Sequence, residues 1–157
     1  MTTLLTAPTA AQTQDVSEIS YRGTLIALIV RATFHKPGIH FLTSDLLTQQ
    51  LACMSHPRGK IVAPHVHNRM PRTVYQTLEV LFIRSGRLRV DLYTQDTQYL
   101  ESHNIGPGDT LLLADGGHGF EVLEDVEMLE VKQGPYPGEG DKTRFIGIAP
   151  DYIILKD

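Results

Sequence analysis

Apolar and polar residues alternate with period two along much of the chain. Leu88, Val90 and Leu92 alternate with Arg87, Arg89 and Asp91, a pattern that puts one face of a strand in a core and the other in water. Short runs of this kind predict strands over Thr24–Ala32, Gln49–Ser55, Lys60–Pro64, Leu78–Arg84 and Arg87–Tyr93 in the first half. In the second half they fall at Tyr99–Ser102, Thr110–Ala114, Gly119–Leu123, Glu127–Lys132 and Asp151–Leu155. Turn signals punctuate them: Pro37-Gly38, Pro57-Arg58-Gly59, Ser85-Gly86, Gly106-Pro107-Gly108 and Gly116-Gly117. Only Ser44–Gln50 has room for a helical turn. Many short strands without a helical period predict an all-β chain, and a jelly-roll β-barrel is the barrel-like solution at this size.

The 157 residues suffice for one ordinary domain. Residues 1–20, rich in Thr, Ala and Gln, read as a flexible N-terminal arm, leaving 21–157 as a single barrel domain. The N-terminus lacks the positive region of a secretory signal, and no apolar run approaches the ~20 residues of a membrane span. With 14 basic against 18 acidic side chains, and no concentrated Lys/Arg run, the chain lacks the basic field of a nucleic-acid binder. A single cysteine, Cys53, rules out an intrachain disulfide and fits a reducing, cytoplasmic compartment. It lies in an apolar strand and reads as a small buried hydrophobe.

The chemistry-bearing stretch begins at Gly59. His65 and His67, two apart at the end of a predicted strand, point to the same face. If that face is a barrel interior, two imidazoles converge as a metal needs; a pair of surface or hydrogen-bonded histidines would show the same spacing. Glu79 shares its face with Leu81 and Ile83, and a carboxylate there is costly unless paired, hydrogen-bonded or bound to a cation. His118 follows the tight Gly116-Gly117 pair, in phase with Phe120 and Val122. An isolated core polar group with a hydrogen-bond partner is the alternative for either residue. His35, His40, His56 and His103 lack partners at ligand spacing and read as structural or exposed.

These residues resemble the two motifs of the cupin superfamily. The first runs from a glycine through five residues to HXH, then three or four residues, a glutamate, six residues and a glycine. Gly59, His65 and His67 match its first half, and Glu79 and Gly86 its second. The halves stand further apart than in the family, with eleven residues between His67 and Glu79 that read as a lengthened loop. The second motif begins at Gly108 in a GPGD turn, and His118 supplies its histidine. Ala114 replaces its proline, one residue is missing before the histidine, and Val122 replaces its asparagine. The resemblance covers Gly59 to about Val122. It implies a cupin-like double-stranded β-helix holding one divalent transition metal ion on His65, His67, Glu79 and His118. Fe, Mn, Ni, Co and Zn all accept that donor set, and two positions of an octahedral ion stay open.

The expected function is therefore a metal-dependent oxygenase, isomerase or lyase acting on a small polar molecule, or a non-catalytic module that binds one. No catalytic acid or base is named by the sequence. Arg69 and Arg72 in the lengthened loop are candidate anion clamps, with Gln76 and Tyr75 near the mouth; solvated loop charges are the alternative. Lys132, Tyr136 and Lys142, around the segment KQGPYPGEGDKTRF, could line a pocket, although its Gly and Pro content also suits simple chain reversal. A homodimer is expected, with Tyr21–Ala32 along a pairing edge.

Overall fold

The computed structural model describes residues 15–156. Among the described residues eight strands form: β1 (Val16–Tyr21), β2 (Thr24–Val30), β3 (Gly38–Phe41), β4 (Ala52–Ser55), β5 (Glu79–Tyr93), β6 (Tyr99–Ile105), β7 (Thr110–Leu113) and β8 (Gly117–Lys132). Six of them build one curled antiparallel half-barrel sheet in the order β1-β2-β7-β5-β6, with β8 on the other edge of β5. The hairpin β3-β4 stands as a separate two-stranded sheet. The all-β expectation holds.

Burial explains the sequence of β2. Its run TLIALIV does not alternate because both faces are covered. Ala27 and Ile29 join Leu81, Ile83, Leu88, Val90, Leu92, Leu111 and Leu113 on one side of the sheet. Leu28 and Val30 join Leu78, Val80 and Leu112 on the other, where Phe34, Leu42, Leu47, Leu51 and Cys53 pack against them. Leu88, Leu92 and Leu112 are fully buried, each removing enough apolar surface from water to stabilise the fold by about 2 kcal/mol.

Several boundaries move. Residues 1–14 of the expected arm lie outside the described residues, and its end is no arm: Val16–Tyr21 pairs with Thr24–Val30 through a tight turn at Arg22-Gly23. That hairpin, with β7 on its other side, places β2 inside the sheet, so Tyr21–Ala32 does not lie along an open edge. β3 was not expected; it pairs with β4, which is the shortened form of Gln49–Ser55. Lys60–Pro64 is not a strand. Among the described residues, 61–77 make no backbone–backbone hydrogen bond, and apolar Ile61, Val66 and Tyr75 are exposed there. Asp151–Leu155 reduces to a 3-10 turn at Pro150–Tyr152 and a single parallel bridge from Leu155 to Ser102.

The strands expected on either side of Ser85-Gly86 are one, and so are those on either side of Glu124-Asp125-Val126. β5 and β8 run against each other over their whole length, with register shifts between Ile83 and Leu88. Gly86 sits at that bend with φ 74°, and a Cβ there would collide with the Asp125 carbonyl. Only glycine accepts both conditions.

Candidate functional site

The bend brings the two ends of the β5–β8 ribbon together. Glu79 opens β5 and pairs in register with Lys132 at the end of β8, while His118 at the start of β8 pairs with Leu92. His118 and Lys132 nonetheless both reach Glu79. Glu79 Oε2 lies 3.3 Å from His118 Nε2, and Glu79 Oε1 lies 3.0 Å from Lys132 Nζ. The chain of contacts continues from Lys132 Nζ to Asp141 Oδ2 at 3.0 Å, and the Thr77 hydroxyl donates to Asp141 Oδ1 at 3.0 Å. As its phase with Leu81 predicts, Glu79 is buried, at 7% exposure, and it has the partners that a buried carboxylate requires.

The electrostatics follow from these contacts. The hydrogen bond from His118 holds the Glu79 carboxyl down to about 2, against the opposing effect of burial and with help from Lys132. Asp141, and then Glu79, raise the Lys132 ammonium above its ordinary range. Lys132, and then Thr77, lower Asp141. Glu79 is thus a fixed anion at neutral pH.

Above Glu79 opens a cavity of about 890 Å³. Its lining includes Glu79, His118 and Lys132, together with Gln76, Thr77, Thr94 and Gln95. The turn entering β8 sets His118: Gly116 takes φ 72°, where a Cβ would strike the Tyr93 carbonyl. The segment after β8 folds back along the lining and is pinned to Tyr93. Phe145 packs edge-on against Tyr93 with ring centroids 5.0 Å apart, and the Ile148 N–H donates to the Tyr93 hydroxyl at 2.9 Å.

The four expected metal ligands are placed in two pairs. Glu79 and His118 meet in the cavity lining. His65 and His67 lie side by side on the exposed 61–77 segment, ring centroids 5.3 Å apart, as their i, i+2 spacing predicts. His65 Nδ1 donates to the Ala63 carbonyl at 2.9 Å, which leaves Nε2 as the basic nitrogen. The donor chemistry, three imidazoles and an ionised carboxylate, suits a divalent transition metal. The placement gathers only half of it: among the described residues, no three His, Cys, Asp or Glu side chains converge on one point.

Of the other candidates, Gln76 lines the cavity and donates to Asp115 Oδ2 at 3.3 Å. Tyr75 lines it as well, and so do Lys132 and Lys142. Arg69 and Arg72 are exposed on the 61–77 segment and are not part of the lining, nor is Tyr136, which is 70% exposed. Asp141, Thr77 and the Tyr93–Phe145 pair were missed by sequence reasoning; Asp141 stands in an irregular Gly-rich stretch without periodicity to betray its direction. His35 and His56 are exposed, while His103 is buried and pairs with Glu101 at 2.9 Å. Cys53 is half-buried, and burial raises its thiol pKa. No helix is long and apolar enough to cross a membrane among the described residues. No family model, curated protein or solved structure matches the chain.

Proposed function

We propose that this chain is a metal-binding protein of the cupin type that takes a small polar molecule into the cavity above Glu79, acting on it as an oxygenase, isomerase or lyase. On this reading the half-barrel belongs to a jelly-roll architecture, and His65, His67, Glu79 and His118 together hold one divalent metal. The observation that carries it is the 3.3 Å separation of Glu79 Oε2 and His118 Nε2 in the cavity lining. Two donors about 2.1 Å from a common ion, at an angle near 100°, stand about 3.2 Å apart. The carboxylate is already ionised, and its other oxygen is oriented by Lys132. Such outer contacts commonly position ligating carboxylates.

His65 and His67 join this pair on the proposed reading by a movement of the segment that carries them. Residues 61–77 lack backbone hydrogen bonds to any strand among the described residues, and low contact density marks the parts of a protein that open and close most easily. When bound, the ion would polarise an oxygen of the ligand or activate water or dioxygen.

A second reading, a module that binds a small molecule without turnover, is favoured by one observation. Both carboxylate oxygens of Glu79 are already engaged, Oε2 by His118 and Oε1 by Lys132, which makes it a poor base for proton abstraction near neutrality. Both readings place the protein in a reducing, cytoplasmic setting, which the lone Cys53 permits. Both also take it as a homodimer, since β8 leaves one long edge without a strand partner among the described residues.

Elemental analysis of protein purified without added metal tests the proposal. About one divalent transition metal per chain is expected, retained by the wild type and lost in His67→Ala and His118→Ala. Equal metal content in His67→Ala would remove His67, and with it the four-ligand site.

A further inference from the structure

The cations lining the cavity are not equivalent. Lys132 lies 3.0 Å from both Glu79 and Asp141, so its charge is neutralised within the protein. Lys142 and Arg144 line the same cavity, and neither is in an ion pair among the described residues. Two of the three lining carboxylates are already engaged by cations: Glu79 by His118 and Lys132, Asp141 by Lys132. The third, Asp115, accepts from Gln76 and from the Gly116 N–H.

Lys142 and Arg144 are also held in place from both ends. Immediately before them Asp141 is tied to Lys132 and Thr77. Immediately after them Phe145 packs on Tyr93, and Ile148 donates to the Tyr93 hydroxyl. Lys142 itself is extended, with φ −138° and ψ 143°, and both it and Arg144 line the cavity. Lys142 and Arg144 are both exposed on this short, doubly anchored stretch, and although Lys142 also acts on Asp141 through space, the two cations can offer charge-assisted contacts to one anionic group. The same lining offers neutral hydroxyls and amides, from Thr94, Gln95, Thr97 and Gln76.

We infer that Lys142 and Arg144 form an anion subsite of this cavity, which binds the carboxylate or phosphate of a small hydroxylated molecule whose neutral body faces Gln76, Thr94 and Gln95. This rests on the cavity being the ligand site, and it names the substrate class that the cavity selects. The guanidinium supplies a planar two-donor fork and the ammonium a compact point charge.

Calorimetric titration of the full chain with gluconate, glucose 6-phosphate and glucose tests it. At least one of the two anions should bind about tenfold or more tightly than glucose, as charge-assisted contacts imply, and raised salt should weaken it. Gluconate alone would identify a carboxylate, and glucose 6-phosphate alone a phosphate ester. The double change Lys142→Ala/Arg144→Ala should remove the preference, while Lys142→Arg/Arg144→Lys, which keeps both charges, should retain it. Circular dichroism of both variants checks that the sheet is intact. Neither anion binding more tightly than glucose, or a folded alanine variant with undiminished anion affinity, would overturn the subsite. Glucose binding without anion preference would do so while leaving the cavity a ligand site, and metal retention reports separately on His67.

Discussion

Glu79 and His118 lie 3.3 Å apart although they pair with opposite ends of the β5–β8 ribbon. A straight strand rises about 3.3 Å per residue, so the stretch of β8 from His118 to Lys132 would span more than 40 Å if flat. Both of its ends touch one carboxylate because the ribbon bends sharply between Ile83 and Leu88. The sheet's curl is therefore what creates the site.

Acid should reveal the Glu79 contact. Its pKa is lowered from 4.5 to about 2 by His118 first and then Lys132, against burial. A carboxyl depressed in the folded state stabilises the fold above its unfolded pKa, and that stability is lost as pH falls from about 4.5 to about 2. The full contribution at neutral pH is at most about 3 kcal/mol. Denaturant midpoints measured from pH 5 to pH 2 should fall for the wild type and much less for Glu79→Gln. His118→Ala should move the Glu79 titration upward, toward the ordinary carboxylate range; an unmoved acid limb would show that His118 does not hold the carboxylate.

Gly86→Ala should disrupt both fold and site. The left-handed backbone costs an alanine about 1 kcal/mol, and the collision with the Asp125 carbonyl adds to it. A total above about 2 kcal/mol is expected, checked by urea denaturation. Gly119→Ala, where a Cβ meets nothing within 4 Å and φ is not positive, serves as the control and should stay within about 0.5 kcal/mol.

The sequence carried the period-two strands and the buried phase of Glu79, because alternation records which face is covered. It also carried Gly86, although as a turn between two strands. A glycine within a strand pattern signals either a turn or a bulge, and only the pairing of β5 with β8 across it decides between them. Lys60–Pro64 looked like a strand through Ile61 and Val62, yet both are exposed, since apolar composition says nothing about whether a partner strand is present. Asp141 was illegible for a different reason: its direction is set by Lys132 and Thr77, which are distant in sequence.

Lys132→Met should destabilise the protein by about 2 kcal/mol at pH 7, because it removes a charged hydrogen-bond donor from the buried Glu79. Adding Glu79→Gln to this variant should recover part of the loss, since a neutral amide no longer demands a counter-charge. Thermal denaturation of the two single variants and the double variant measures the coupling. Strictly additive losses would mean that the two side chains do not share an interaction.

Amide hydrogen exchange distinguishes a site closed by His65 and His67 from one that stops at Glu79 and His118. Residues 61–77 donate no backbone hydrogen bond among the described residues, so their amides should exchange near the unstructured rate in metal-free protein. Binding of an ion to both His65 and His67 would fix the chain around them, and ordering by a ligand appears as slowed exchange. With saturating zinc, the amides of 61–67 should slow by tenfold or more, while those of the buried strand β2 change little. The effect should vanish in His65→Ala and His67→Ala and persist in Arg72→Ala, which keeps both imidazoles. Zinc that binds without slowing 61–67 would place the ion on Glu79 and His118 alone and leave the two histidines in solvent. The affinity would then be much lower, because two protein donors replace four, and chelation by citrate would strip the metal readily.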